Sequence, residues 1–199
     1  MANRNTQGIG LQPSGVMGNE PATQGQSKYH IDAGDATAIY NGEAVKITAG
    51  YITTGSTNIT TATLGTLNGV FYNATSTKKP TWNTYYPGGI TPADSEDVTA
   101  FVCDDPMGLW IGNFDAALGA NTPAAIVATI GLTAGTGTSS GSTINGRSDV
   151  TLTQGTIAAT ANSWRVLRVV EDPDNKDMTA AFCSVVVVQN LNQIIDSAA

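Results

Sequence analysis

Short runs of β-branched and aromatic residues recur along this chain, and turn-forming residues separate one run from the next. Asp, Pro, Gly and Asn cluster in these separations, as in Asp104-Asp105-Pro106-Met107-Gly108. The clearest runs are 98–103, 109–114, 164–170 and 182–188. Short runs with regular turn signals are typical of antiparallel sandwiches, jelly rolls and barrels. We therefore predict a mainly β protein with an antiparallel β-sandwich or jelly-roll-like domain.

The composition supports this prediction and excludes several classes of protein. Charged residues make up 13% of the chain and glycine 22 of its 199 residues, against usual values of about 25% and about 7%. Long amphipathic helices need more Glu and Lys than this, whereas 41% hydrophobic residues are too many for a disordered chain. The net charge of −7 argues against binding to nucleic acid. No apolar stretch is long enough for a membrane-spanning helix.

Residues 1–28 differ from the remainder of the chain. Glycine and proline interrupt a polar stretch that shows neither helical nor strand periodicity. Such a segment does not fold alone, because it buries too little apolar surface to offset its ordering entropy. It is therefore either a disordered tail or an extended N-terminal arm that orders against a partner, followed by a β-rich domain at 29–199. The apolar residues expected to make the arm's contacts are Ile9, Leu11, Val16 and Met17.

Several local patterns predict how strands are arranged within the domain. Asn41-Gly42 lies between the apolar runs 36–40 and 43–47, which predicts a hairpin with a type I′ turn. Residues 166–170 and 185–188 do not alternate between apolar and polar, which indicates burial on both faces. We expect another subunit to cover one of those faces. Residues 123–130 fit either a helix or a strand, and 133–149 are expected to form a loop.

The sequence offers little catalytic chemistry. Residues 137–141 match the G-x-S-x-G pattern of hydrolases, but they lie in a Gly/Thr/Ser-rich stretch. That pattern needs a strand before it, a helix after it and a downstream histidine. His30 is the chain's single histidine and lies upstream. We interpret the match as coincidental and predict no catalytic residue.

Acidic residues suggest metal binding only weakly. Asp172-Pro173-Asp174-Asn175 begins like a calcium-binding loop, but Lys176 and Asp177 stand where that loop needs an oxygen ligand and a glycine. We interpret this segment as a solvated turn. A second group, expected to form an exposed rim, contains Asp94, Glu96, Asp97, Asp104 and Asp105. We predict no metal site and no cofactor, and therefore a structural or assembly protein and not an enzyme.

Aromatic residues and cysteines complete the candidate residues. Trp82, Tyr85 and Tyr86 are close in sequence and are expected either to stack against a sugar or to pack in the core or a subunit interface. Cys103 and Cys183 lie in apolar runs, which favours buried, reduced thiols. No signal peptide is visible at the start of the chain, so we expect synthesis in a cytoplasm.

Four segments in a fixed order carry a family resemblance. They are Leu-Asn-Gly-Val-Phe-Tyr at 67–72, Tyr-Tyr-Pro-Gly-Gly at 85–89, Val-Thr-Ala-Phe-Val-Cys-Asp-Asp-Pro at 98–106 and Arg-Val-Val-Glu-Asp-Pro-Asp-Asn at 168–175. Over about residues 29–195 the chain resembles capsid cement, or decoration, proteins of tailed bacteriophages, especially phages of marine bacteria and cyanobacteria.

The resemblance implies a β-rich, often jelly-roll-like domain on the outer surface of a virion, made in the host cytoplasm. It implies the major capsid protein as partner, assembly as a trimer at three-fold positions and no catalysis. Under this interpretation the arm residues contact the capsid or a neighbouring subunit. The alternative is a carbohydrate- or receptor-binding module of a tail or fibre, for which Trp82, Tyr85 and Tyr86 would provide the binding surface.

Overall fold

The computed structural model of this chain describes residues 3–18, 25–55, 61–118, 129–133, 141–158 and 162–195. Within these ranges the protein is all β, as predicted, and its two antiparallel sheets pack against each other as a sandwich. The strands in chain order are β1 Gln12–Val16, β2 Ser27–Ile31, β3 Ala44–Thr48, β4 Tyr51–Thr54, β5 Gly65–Asn73, β6 Pro80–Asn83, β7 Val98–Cys103, β8 Gly108–Asn113, β9 Thr129–Thr133, β10 Thr151–Ala158, β11 Trp164–Val169 and β12 Ser184–Gln189.

The first sheet, called sheet A, has the order β1-β8-β12-β11-β9-β10. Beyond the end of β8, Phe114 forms a bridge with Leu152 of β10, and the amide of Asp115 donates a 3.0 Å hydrogen bond to the Leu152 carbonyl. Sheet A therefore curls until its last strand returns to the end of β8. Its inner face encloses Leu11, Trp110, Phe114, Ile130, Leu152, Trp164, Val166, Val185 and Val187.

The second sheet, called sheet B, has the order β2-β7-β5-β3-β4, with β6 also paired to β5. Strand β5 is the longest at nine residues, and a register shift between Leu67 and Gly69 marks a bulge against β7. The inner face of sheet B has its own apolar core, which contains Ile31, Ile39, Val45, Ile52, Leu64, Leu67, Val70, Tyr86, Val98, Ala100 and Val102.

Buried polar contacts connect the two sheets. The Gln189 side chain, at the end of β12, donates a 3.0 Å hydrogen bond to the Thr63 hydroxyl just before β5. Gln193 accepts from the Ile47 amide at 2.6 Å and donates to the Ile47 carbonyl at 3.2 Å. Because buried polar groups cost free energy unless they are paired, these bonds favour one relative placement of the sheets.

The hairpin predicted around Asn41-Gly42 does not form, and neither does its type I′ turn, because that turn needs a positive φ at both central residues and Asn41 does not have one. Gly42 has a φ of 78°, but Ile39 bridges to Tyr86 and not to the segment after the turn. Both of those side chains are buried in the core of sheet B, so burial overrides the local pairing. Strand β3 pairs instead with β4 through Ala49 and Gly50, whose φ values of 52° and 90° suit a type I′ turn.

The N-terminal arm is docked on its own domain. Strand β1 pairs with β8 at the edge of sheet A, and the Asn3 side chain donates to the carbonyls of Asp177 and Ala181 at 2.9 and 2.8 Å. The boundary expected at residue 28 lies inside β2. The sequence did not reveal this, because β1 is Gln-Pro-Ser-Gly-Val and shows no strand periodicity.

Two expectations lie largely outside the described residues. The segment at 123–130 is described only from Thr129, where β9 begins, and the loop expected at 133–149 is described at residue 133 and from Gly141 onward. In the parts of the chain that the structure describes, no helix has the length and apolarity needed to cross a membrane.

Candidate interaction surfaces

The four arm residues predicted to contact a partner have different environments. Leu11 is 1% exposed and lies over Gly112 of β8, within 3.0 Å of where a Cβ would stand there. It belongs to the core of sheet A, so in this structure its side chain is not exposed for the partner contact predicted for it. Ile9 and Val16 are half-buried, and Met17 is the exposed member, at 37%.

The three predicted aromatic residues do not share one surface. Tyr86 is fully buried, and its hydroxyl donates a 2.7 Å hydrogen bond to the Asp35 carbonyl. Tyr85 stacks on Tyr40, with ring centroids 5.2 Å apart and planes within 2°. Trp82 is 49% exposed on the outside of sheet B. Closeness in sequence was misleading, because the chain leaves β6 after Asn83 and carries the two tyrosines away from the sheet's outer face.

The acidic residues mostly support local structure. Asp104 accepts hydrogen bonds from the hydroxyls of Ser27 at 2.9 Å and Tyr29 at 2.7 Å. Burial, together with this carboxylate, raises the pKa of Tyr29 to about 12. Asp94 accepts from the Asn73 side chain, and this hydrogen bond lowers its pKa. Among the described residues, no group of three or more His, Cys, Asp or Glu side chains is placed to hold a metal ion.

The segment interpreted as a solvated turn anchors the N-terminal arm. Asp172 accepts from the amide of Asp174 at 3.0 Å and the side chain of Asn175 at 3.1 Å, and these bonds lower its pKa. The Asn175 side chain in turn accepts from the amide of Asn5 at 2.9 Å. Asp177 accepts from the Thr179 hydroxyl at 2.6 Å, and this bond is the main reason that its pKa falls to about 2. The carboxylates therefore form hydrogen bonds within the turn.

The outer face of sheet A carries an apolar groove that sequence analysis anticipated only in part. Val185 and Val187 of β12 point into the core, whereas Val186 and Val188 lie on the opposite face with Leu109. The expected burial on both faces is therefore confirmed for residues 185–188 but not for 166–170, where Arg168 is exposed. A groove of about 650 Å³ runs across this face and is lined by Ser14, Ile111, Arg168, Val169, Val170, Glu171 and Val186.

Cross-strand pairing builds this groove. Val186 is opposite Ile111, and Val188 is opposite Leu109. Val186, Val188 and Leu109 are buried within the chain, so the partly exposed apolar side chains of the groove are Ile111, Val169 and Val170. Leu109 and Ile111 were not among the predicted contact residues. Their alternation with Trp110, which points inward, is the signal that could have identified them.

No protein-family model, curated protein or solved structure matches this chain.

Proposed function

We propose that this protein is a virion structural protein that decorates the outer surface of a tailed-phage capsid and bridges neighbouring capsomers as a trimer. The observation that carries the proposal is the apolar groove on the outer face of sheet A. A sheet face with this composition is suited to burial against another protein surface, because burying apolar area stabilises an interface by about 25 cal/mol per Å². The major capsid protein is the proposed partner of the assembled trimer.

Charged groups at the rim of the groove would give such a contact its orientation. Arg168 and Glu171 both line the groove and are exposed. In a ring of three identical subunits, each subunit presents this groove to a second surface of the next subunit, so Arg168 and Glu171 would pair with charges of opposite sign on that second surface. Rim pairs of this kind add specificity more than affinity.

A trimer suits the mechanical task of a decoration protein. Packed DNA presses on a capsid from inside, and the shell is weakest where capsomers meet. A three-fold protein placed on such a seam repeats one contact three times, and three weak contacts together give strong attachment. The net charge of −7 favours an outward position, away from the packaged DNA.

Because the arm is docked on its own domain, we revise the role that we propose for it. Residues 3–16 reinforce the edge of sheet A next to the groove, where Ser14 lines the groove and donates to the Leu109 carbonyl at 3.1 Å. Met17, the exposed one of the four apolar arm residues, lies beside Met107 and donates a 2.8 Å hydrogen bond from its amide to the Met107 carbonyl. We propose that this methionine pair, and not Leu11, is the arm's contribution to subunit or capsid contact.

The oligomeric part of the proposal is tested by light scattering of the purified protein. Val170 lies half-buried in the groove, so Val170→Asp should convert trimers to monomers by burying a charge in the interface. The matched control is Ile144→Asp, at a side chain that is 97% exposed and outside the groove. A wild-type protein that is monomeric at all concentrations, or a Val170→Asp trimer, would contradict the subunit contact.

The capsid part is tested by co-sedimentation with shells assembled from the proposed partner, the major capsid protein. We expect the wild-type protein to pellet with the shells in a saturable ratio of one trimer per three-fold position. Val170→Asp should bind far less, because it loses the multivalency that the trimer provides. Failure of the wild-type trimer to sediment with the shells would refute a decoration role while leaving the trimer intact.

A further inference from the structure

Three aromatic side chains that are well apart in sequence form a ledge on the outer face of sheet B. Trp82 of β6 is directly opposite Phe71 of β5, and these side chains are 49% and 40% exposed. Phe101 of β7 completes the set, with its ring centroid 5.1 Å from that of Trp82 at an interplanar angle of 55°. We call Phe71, Trp82 and Phe101 the aromatic ledge.

Gly69 makes this arrangement possible. It is paired with Phe101 across β5 and β7, and a Cβ built on it would be 2.4 Å from Cζ2 of Trp82. The indole therefore lies over the glycine and reaches across β5 to the Phe101 ring. A side chain at residue 69 would displace the indole, so the absence of a side chain there lets the Trp82 ring lie against the sheet.

Polar side chains border the ledge on the same face. One row across the sheet reads His30, Thr99, Phe71 and Trp82, each residue opposite the next on the neighbouring strand. Lys28 is opposite Phe101, with Nζ 5.9 Å from the ring centroid. Lys28 and His30 are exposed. The surface therefore combines flat apolar rings with hydrogen-bond donors and acceptors at one side.

We propose that the aromatic ledge binds a neutral polysaccharide through the face of one pyranose ring. A pyranose with equatorial hydroxyls presents axial C–H groups on its flat face and hydroxyls at its rim. The C–H face would stack on Trp82 and Phe71, and the rim would hydrogen-bond to His30 and Thr99. The net charge of −7 disfavours acidic polysaccharides through long-range repulsion.

The size of the ledge favours a sugar over a protein partner. An aromatic side chain buries about 150–250 Å² when fully covered, so the exposed parts of Trp82 and Phe71 amount to about 200 Å². A stable protein interface needs about 800 Å² from each partner. The exposed area is close to that of one or two sugar rings. This inference does not depend on the decoration role, since the ledge and the groove lie on different sheets.

Intrinsic fluorescence provides a direct test, because the three tryptophans differ in exposure. Trp110 and Trp164 are buried, so quenching by acrylamide reports mainly on Trp82. We expect a hexasaccharide of β-1,4-linked glucose, N-acetylglucosamine or xylose to protect Trp82 from acrylamide in a saturable manner at millimolar concentration. Isothermal titration calorimetry should then give a dissociation constant about tenfold weaker for Phe71→Ala, and no detectable binding for Trp82→Ala.

The matched control is Ile194→Ala, which removes a side chain 52% exposed outside the ledge and should bind as the wild type does. Circular dichroism and thermal unfolding establish that each variant is folded. The proposal is overturned if none of the three oligosaccharides protects Trp82, or if Trp82→Ala binds with wild-type affinity. The proposal is also overturned if raising the protein concentration, without oligosaccharide, protects Trp82 from acrylamide. The ledge would then be a contact between copies of this chain.

Discussion

The indole Nε1 of Trp110, in sheet A, donates a 3.0 Å hydrogen bond to Oγ1 of Thr66, in sheet B. Both residues are buried, and 44 positions separate them in the chain. Trp110 also packs edge-on against Trp164, with ring centroids 5.1 Å apart. One side chain thus belongs to the core of sheet A and also holds sheet B in place.

This hydrogen bond makes Thr66→Val a sensitive test of the sheet packing. Valine keeps the shape of threonine but leaves the buried indole N–H without an acceptor, which should cost about 1–3 kcal/mol of unfolding free energy. Urea unfolding followed by circular dichroism measures the change. Thr66→Ser, which retains the hydroxyl, should lose less; a Thr66→Val protein as stable as the wild type would show that the bond does not support the packing.

Docking of the arm predicts that Leu11 matters for stability. Leu11→Ala removes a buried side chain from the core of sheet A and should reduce the free energy of unfolding by about 2–5 kcal/mol. Met17→Ala is the control, because that side chain is exposed and should change stability by no more than about 0.5 kcal/mol. Equal effects of the two substitutions would mean that the arm is not docked in solution.

The two cysteines should be free but unreactive in the folded protein. Burial raises the pKa of both Cys103 and Cys183 from an ordinary value of 9.0 to about 11. A raised thiol pKa stabilises the fold below about pH 9 and loses that contribution as pH rises through about 11. At pH 8 a thiol reagent should therefore label neither cysteine in the native protein and both after unfolding without reductant. Finding no thiol after unfolding would show that the two residues form a disulfide.

Gly69→Ala should disturb the aromatic ledge and the sheet beneath it. The new Cβ would be 2.4 Å from Cζ2 of Trp82 and 2.9 Å from the Asn83 carbonyl oxygen, so overpacking should cost about 1–3 kcal/mol. Displacement of the indole into water should shift its fluorescence emission to longer wavelength. Gly155→Ala, where nothing lies within 4 Å of the added Cβ, is the matched control, and an unchanged Gly69→Ala emission spectrum would contradict the placement of Trp82.

Local sequence patterns determined the β class of this protein and part of its strand arrangement. Recurring turn residues between short β-branched runs predicted an all-β sandwich, because β-branched residues favour an extended backbone whatever tertiary contacts the segment makes. The unbroken valine run of β12 predicted burial on both faces of that strand, which the structure confirms. Each of these properties depends on the residues of one segment, so it can be recognised without knowing what that segment contacts.

Tertiary structure alone decided the pairings and the surfaces. The chain turns at Asn41-Gly42, but not as the predicted type I′ turn, and Ile39 pairs with Tyr86 because both are buried together in the core of sheet B. Leu11 lies in a polar, glycine-rich segment, yet it fills the space above Gly112. Trp82 joins Phe71 and Phe101 across three strands, while its sequence neighbour Tyr86 is buried. A residue's exposure depends on which distant segments cover it, and the contacts that select those segments are long-range ones that no local pattern encodes.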